Sequence, residues 1–259
     1  SDRSVVHSIR QGFDHERIHL ETSSVLIRQH RLDYVRPHPA WPACRLGAPA
    51  PENGLVDIPA GHLRIGKEFS DTTYGWDNEY GMHQADVPAF KAARHLVSNG
   101  EFLAFIDAGG YDDDSLWDDE GKAWKDFAKA RHPTFWQGGR GNWKLRLMTE
   151  VVDMPWNWPV ETNYHEASAF FFWKARTSGQ AIRLPSEDEW YRLLAVTAIG
   201  ELPDDTPGTA NIHLDYWASA CPVDRFAQGP LFDVVGNVWQ WTETPIYPYD
   251  GFRVHPIYD

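Results

Sequence analysis

The chain has only two cysteines in 259 residues, Cys44 and Cys221. Neither falls in a paired pattern, which excludes a disulfide framework and a cysteine-built metal site. Basic side chains are also in deficit: 24 Lys and Arg against 37 Asp and Glu leave a formal charge of −13. That surplus opposes contact with phosphate backbones and anionic lipid, so neither nucleic acid nor a membrane is an expected partner. No apolar run approaches the roughly 20 residues that cross a bilayer, and no signal-peptide pattern stands at Ser1. A soluble protein of a reducing cytoplasm is the expectation. Repeats and low-complexity tracts are absent as well.

What is present is an ordinary globular share of apolar and charged residues, 42% and 24%, with an excess of large rings: 13 Trp, 13 Phe and 10 Tyr. Such a set suits a unit of loops and short strands pinned by aromatic side chains.

Apolar periodicity predicts an amphipathic helix from about Val5 to about Gln29. Repeated prolines in Arg36-Pro37-His38-Pro39-Ala40-Trp41-Pro42 then fix φ and remove amide donors, marking an extended crossing between two units. A lone helix cannot bury its own apolar face, so partners for it are expected in the second unit or upstream of Ser1. From Gly54 the pattern turns to short extended pieces, Leu55 to Gly61 and then Leu63 to Gly66, which read as a first strand, a turn and a second strand. Three capped helix starts follow: Ser98-Asn99-Gly100-Glu101 is a capping box opening a helix that stops at Gly109-Gly110, Asn163-Tyr164-His165-Glu166 opens the next, ending at Gly179, and Ser186-Glu187-Asp188-Glu189 opens one that carries Trp190, Leu193 and Leu194. Tyr111 to Lys125 and His132 to Trp143 read as long polar loops. Within them, Gly138-Gly139-Arg140-Gly141 reads as a turn, and the clusters Asp112-Asp113-Asp114 and Asp118-Asp119-Glu120 as a solvated acidic surface.

Inside the first helix lies His15-Glu16-Arg17-Ile18-His19-Leu20-Glu21. Histidines four apart share one helix face, and neutral imidazole is the commonest protein ligand of first-row transition metals. The pair offers two of the three nitrogens that an open catalytic site needs. The same string matches H-E-x-x-H, in which Glu16 would serve a zinc hydrolase as general base, although no third-ligand extension follows His19.

Several strings together resemble the formylglycine-generating-enzyme, or sulfatase-modifying factor, domain: Gly54-Leu-Val-Asp-Ile-Pro-Ala-Gly61, Trp76-Asp77-Asn78-Glu79, Gly109-Gly110-Tyr111, Arg183-Leu-Pro-Ser-Glu-Asp-Glu-Trp190 and Gly236-Asn-Val-Trp-Gln-Trp-Thr242. Joined to an upstream helix with two histidines, such a domain resembles the non-haem iron sulfoxide synthases, whose N-terminal part is a DinB-like four-helix bundle. The resemblance implies an α+β chain: residues 1–35 end a DinB-like bundle, 36–53 form a proline-rich linker, and 54–259 form a formylglycine-generating-enzyme-like, C-type-lectin-like domain. It also implies Fe(II) as cofactor, held by His15 and His19, and L-cysteine, L-histidine and dioxygen as small-molecule partners. His15 to Arg28, Met154-Pro-Trp-Asn-Trp-Pro-Val160 and Trp239-Gln-Trp-Thr-Glu-Thr-Pro245 look like the ovothiol branch, which makes 5-histidylcysteine sulfoxide. The alternatives are the ergothioneine branch acting on hercynine, a zinc hydrolase, and a noncatalytic ligand-binding module.

Family members place a tyrosine over the iron as a proton donor that favours C–S coupling over oxygenation of the cysteine sulfur. Tyr258 matches it by position, with Tyr247 and Tyr249 as alternatives. The family's third histidine belongs on an earlier helix, and His7 does not match it. The chain also stops at Asp259, before the strands that close such a domain, and so looks like an internal fragment of a longer enzyme. Neither cysteine falls in the pattern by which formylglycine-generating enzymes do redox chemistry, so both are expected to be structural.

Overall fold

A computed structural model describes residues 2–197, 199 and 208–254, with side chains from Val5 onward. Helix α1 runs from Asp2 to Ile27, close to the span expected from periodicity. Residues 36–53 carry no helix or strand but do not hang free. The Ala218 amide donates to the Pro42 carbonyl, Cys44 N donates to Ser219 Oγ, and Trp158 Nε1 donates to the Leu46 carbonyl, all within 2.9 Å. The proline-rich crossing is therefore stitched along the second unit.

That unit is mixed. Strands β1 (Leu55–Ile58), β2 (Gly61–Lys67), β3 (Gly81–Val87) and β4 (Phe90–Ala93) form two antiparallel ribbons, β1 with β4 and β2 with β3. The first two strands are thus consecutive but not paired with each other. Helices α2 (Asn99–Asp107), α3 (Asp119–Ala128), α4 (Tyr164–Ser178) and α5 (Glu187–Val196) follow, with the three-stranded sheet of β5 (Trp136–Gln137), β6 (Lys144–Arg146) and β7 (Val151–Asp153) between α3 and α4. A last ribbon pairs β8 (Ala227–Gln228) with β9 (Leu231–Phe232).

The capping chemistry explains most helix starts. Asn163 and Ser186 make full reciprocal boxes with Glu166 and Glu189, and Gly179 closes α4 in the left-handed conformation, φ +68°. Ser98 caps α2 through Glu101 N, but the Glu101 carboxylate turns away to Asn53 and Lys174 instead of completing a box. One expectation is corrected: the stretch 111–125 is largely helical. Asp118 caps α3 by accepting from Gly121 N at 2.6 Å, and Asp119 and Glu120 occupy its first turn, where carboxylates offset the helix dipole. The acidic cluster is a helix start.

The core is aromatic. Phe102 and Phe105 of α2 meet Phe170 of α4, with Phe102 and Phe170 stacked at 5.2 Å, and Tyr111 and Trp117 fill the end of this layer. A second cluster gathers Trp136, Leu145, Trp158 and Phe226 around both cysteines, and a third joins Ile58, Leu194 and Leu231. Helix α1 takes no part in any of them. No helix among the described residues is long and apolar enough to cross a membrane.

Candidate metal-binding site

Helix α1 lies against the second unit through one face and both of its flanks. His7, Gln11 and His15, spaced four apart, line the inner face: His7 packs on Tyr74 with ring centroids 5.0 Å apart, Gln11 is buried, and His15 stacks near Trp76 at 6.4 Å. His7 is thereby occupied in packing. One turn beyond His15 stands His19, its ring edge-on to that of His15 with centroids 4.3 Å apart. Both residues are exposed, and neither ring hydrogen-bonds to a described group. The pair therefore presents two adjacent nitrogen donors with no competing partner, which suits a metal that takes imidazole. Among the described residues no third His, Cys, Asp or Glu completes a cluster around them. Glu16 is exposed too, on an open groove with Arg10 and Arg17.

The opposite flank is tied down by charge. Glu21 Oε2 accepts from Trp239 Nε1 at 2.8 Å, and Oε1 accepts from His213 N at 3.3 Å with His213 Nδ1 3.7 Å away. The His213 imidazole, with a further contribution from the Trp239 indole, holds the Glu21 carboxyl below its ordinary value despite partial burial. Arg28, the residue after the helix end, donates from Nε to the Arg146 carbonyl at 2.8 Å, pairs with Glu161, and lays its guanidinium 3.6 Å over the Phe135 ring. Arg146 in turn reaches the His30 carbonyl at 3.0 Å.

Trp239 is placed by the Gly-Asn-Val-Trp turn. Asn237, at φ +66°, accepts from Cys221 N at 2.9 Å and donates to the Cys221 carbonyl and to Asp233 Oδ2, both at 3.0 Å. Asp233 is fully buried, and desolvation pushes its carboxyl up to about 7.

Of the three tyrosine candidates, Tyr258 lies outside the described residues. Tyr249 gives its hydroxyl to Glu187 Oε1 at 3.1 Å, stacks on His83 at 5.6 Å, and is raised in pKa by burial and by Glu187. Its ring abuts Gly66, where the Gly81 carbonyl leaves no room for a Cβ. Tyr247 is half-exposed and sits edge-on to His83 and Tyr249.

Periodicity placed the histidines on one helix face and the structure brings their rings together. It could not find Glu21, Arg28 or His213 as contacts, since each meets a partner more than a hundred residues away. The one hint was that Glu21 and Trp239 both fall in strings that resemble those of the sulfoxide synthases.

A family profile described as the sulfatase-modifying factor enzyme 1-like domain matches residues 46–254. A hercynine oxygenase of Mycobacterium tuberculosis is 31% identical over 209 residues, covering 73% of this chain and 45% of the relative. A hercynine oxygenase of Mycolicibacterium smegmatis is 29% identical over 255 residues, covering 92% of this chain and 56% of its own. The chain thus spans about half the length of these relatives. Among solved structures, PvdO from Pseudomonas aeruginosa shares the fold at 19% identity, with a TM-score of 0.53 over 84% of this chain and 80% of that one.

Proposed function

We propose, since the chain belongs to the sulfatase-modifying factor enzyme 1-like family, that it serves an oxygen-dependent sulfoxide synthase joining a cysteine-type thiol to the imidazole ring of a histidine-derived acceptor. The reaction balances with dioxygen alone: replacing C–H and S–H by C–S yields two electrons, oxidising the sulfide to the sulfoxide yields two more, and O2 accepts all four. One oxygen stays on sulfur and the other leaves as water.

The observation that carries this reading is the adjacent, unpartnered pair His15 and His19 on a helix docked to the Gly-Asn-Val-Trp segment. Iron is the metal the resemblance implies, and His15 and His19 would hold it; when bound it supplies activation of dioxygen and of the thiol. Trp76 packs beside His15, and Trp239 bonds Glu21 on the other flank of the helix. The exposed stripe of Val5, Ile9 and Phe13 supports assigning α1 to a DinB-like bundle, with 36–53 as linker and 54–259 as the second domain.

The relatives named for hercynine favour hercynine as acceptor. Free histidine is the second reading, favoured by the three strings that look like the ovothiol branch. Mass spectrometry of the full-length protein supplied with cysteine, γ-glutamylcysteine, histidine and hercynine separates the two by which sulfoxide forms. Metal analysis tests the class: iron with oxygen uptake supports the synthase, zinc with peptidase activity assigns Glu16 a hydrolytic role, and no stoichiometric metal leaves a binding module. His15→Ala and His19→Ala are each expected to abolish iron binding while leaving the fold intact, and full iron occupancy in both variants overturns the assignment.

Tyr258 is proposed as the proton donor. Tyr258→Phe is expected to keep metal and substrate but shift product from the sulfoxide toward cysteine sulfinic acid. An unchanged ratio moves the role to Tyr247, because the Tyr249 hydroxyl is given to Glu187.

A further inference from the structure

We infer that Glu21 is a positioning residue that fixes the rotation of α1 about its own axis and so aims His15 and His19. The inference rests, for its consequence at the metal, on the reading that those histidines are ligands. The clamp itself stands on geometry alone.

At 3.6 residues per turn, two residues carry a side chain about 200° around a helix, so Glu21 leaves the side of α1 opposite to His19. On the histidine side the contacts with the second unit include ring packing, His7 on Tyr74 and His15 on Trp76. Ring contacts of that kind tolerate sliding. On the far side, Glu21 makes two directional bonds, to Trp239 Nε1 and to His213 N, and charge on the acceptor strengthens both. A helix side chain reaches ~6 Å from the axis, so a roll of about 20° would carry it about 2 Å. Metal–ligand distances tolerate only about 0.2 Å, which makes the roll angle decisive for a pair of ligands that must meet a third group.

The receiving surface is built to hold still. His213 and Leu214 are both left-handed, at φ +57° and +60°, a conformation that non-glycine residues keep only where their surroundings enforce it. Asn211 anchors this loop: its carbonyl accepts from Asn237 N at 2.8 Å and its Oδ1 accepts from Trp217 N at 3.2 Å. One carboxylate thus reads two segments, 211–217 and 236–239, that are already locked to each other.

The test combines hydrogen exchange with the visible spectrum of bound Co(II) in the full-length protein. Glu21→Ala is expected to raise amide exchange across α1 by about tenfold, as loss of charge-assisted bonds implies, while α2 and α4 are unchanged. Co(II) should still bind, but with shifted visible bands. Glu21→Gln, which keeps an acceptor oxygen, should restore most of both signals, and Trp239→Phe should reproduce part of the defect. Unchanged α1 exchange and an unchanged Co(II) spectrum in Glu21→Ala overturn the inference. Should Glu21→Ala raise exchange in α2 and α4 as well, Glu21→Gln and Trp239→Phe decide, and parent-like α1 exchange in both overturns it. If the parent binds no Co(II), the metal reading fails while the exchange arm still tests the clamp.

Discussion

Helix α1 and the α2–α4 layer both carry large apolar side chains, yet they are held by opposite means. Phe102, Phe105 and Phe170 are each at most 1% exposed and interlock ring on ring, whereas Phe13 of α1 is 68% exposed. The layer is fixed by volume. The helix is fixed by a few polar anchors, Glu21 and Arg28, that work at a distance from its apolar stripe. Burial supplies most of the stability but is non-directional, while hydrogen bonds supply little net energy and define angles. The element that carries the candidate ligands is the one set by angles, as a site that needs aim more than strength requires.

The largest break in that comparison comes from deleting rings. Phe102→Ala opens a cavity in the layer and is expected to cost about 3–5 kcal/mol, enough to unfold much of the unit. Phe13→Ala in the same 259-residue chain is expected to stay within about 0.5 kcal/mol, since its ring meets solvent. Denaturant midpoints measure both. A cost for Phe13 comparable to that for Phe102 would show that the outer face of α1 is covered and would erase the contrast.

The same contrast governs what the sequence could reveal. Local chemistry was legible: the spacing of His15 and His19, and the helix starts at Asn163 and Ser186, act within four residues. Competition for a side chain was not. Glu101 looked like the second half of a box at Ser98 but is taken by Asn53 and Lys174, and Asp118 looked solvated although it caps α3. Pairing between distant segments was illegible, since nothing near β1 states that it will pair with β4, and nothing near Glu21 names Trp239. Helix starts follow from short-range signals and the fold class from the family resemblance, whereas the docking of the site helix is a long-range fact.

A middle-sized effect sharpens the comparison on the side of the core. Glu166 is buried at the start of α4, accepts from the Tyr111 hydroxyl at 2.6 Å, and is pushed up to about 7 from its ordinary 4.5 by desolvation. Below 4.5 both folded and unfolded chains are protonated there. Between 4.5 and about 7 the folded state keeps a proton that the unfolded state has lost, so stability falls as pH rises through that window. Glu166→Gln, neutral at every pH, should match the parent near pH 4 and exceed it at pH 8 by about 1–3 kcal/mol. Chemical denaturation at both pH values measures this, and a constant difference would mean that Glu166 does not titrate in the folded core. Glu21 is shifted the other way, so its contribution is lost only as pH falls through the acidic range, which separates anchor from core by titration.

The smallest expected effect concerns the thiols. Cys44 and Cys221 share one core cluster with Trp136 and Phe226, at 3% and 0% exposure. Burial pushes both thiols up, and the thiolate is the form that attacks or ligates, so neither is prepared for chemistry. Their backbones do the visible work: Cys44 N meets Ser219 Oγ along the crossing segment, and Cys221 brackets Asn237 through both its amide and its carbonyl. Sulfur has a smaller part: Cys44 Sγ accepts from Leu46 N at 3.4 Å, and Cys221 Sγ faces the Pro222 carbonyl at 3.9 Å. Cys44→Ala and Cys221→Ala should therefore remove little more than a buried sulfur each, about 1 kcal/mol, and leave α1 exchange, metal content and turnover of the full-length protein unchanged. Loss of turnover in the double variant with fold and metal intact would bring the thiols back into the chemistry and move the reading toward the thiol-dependent members of the family.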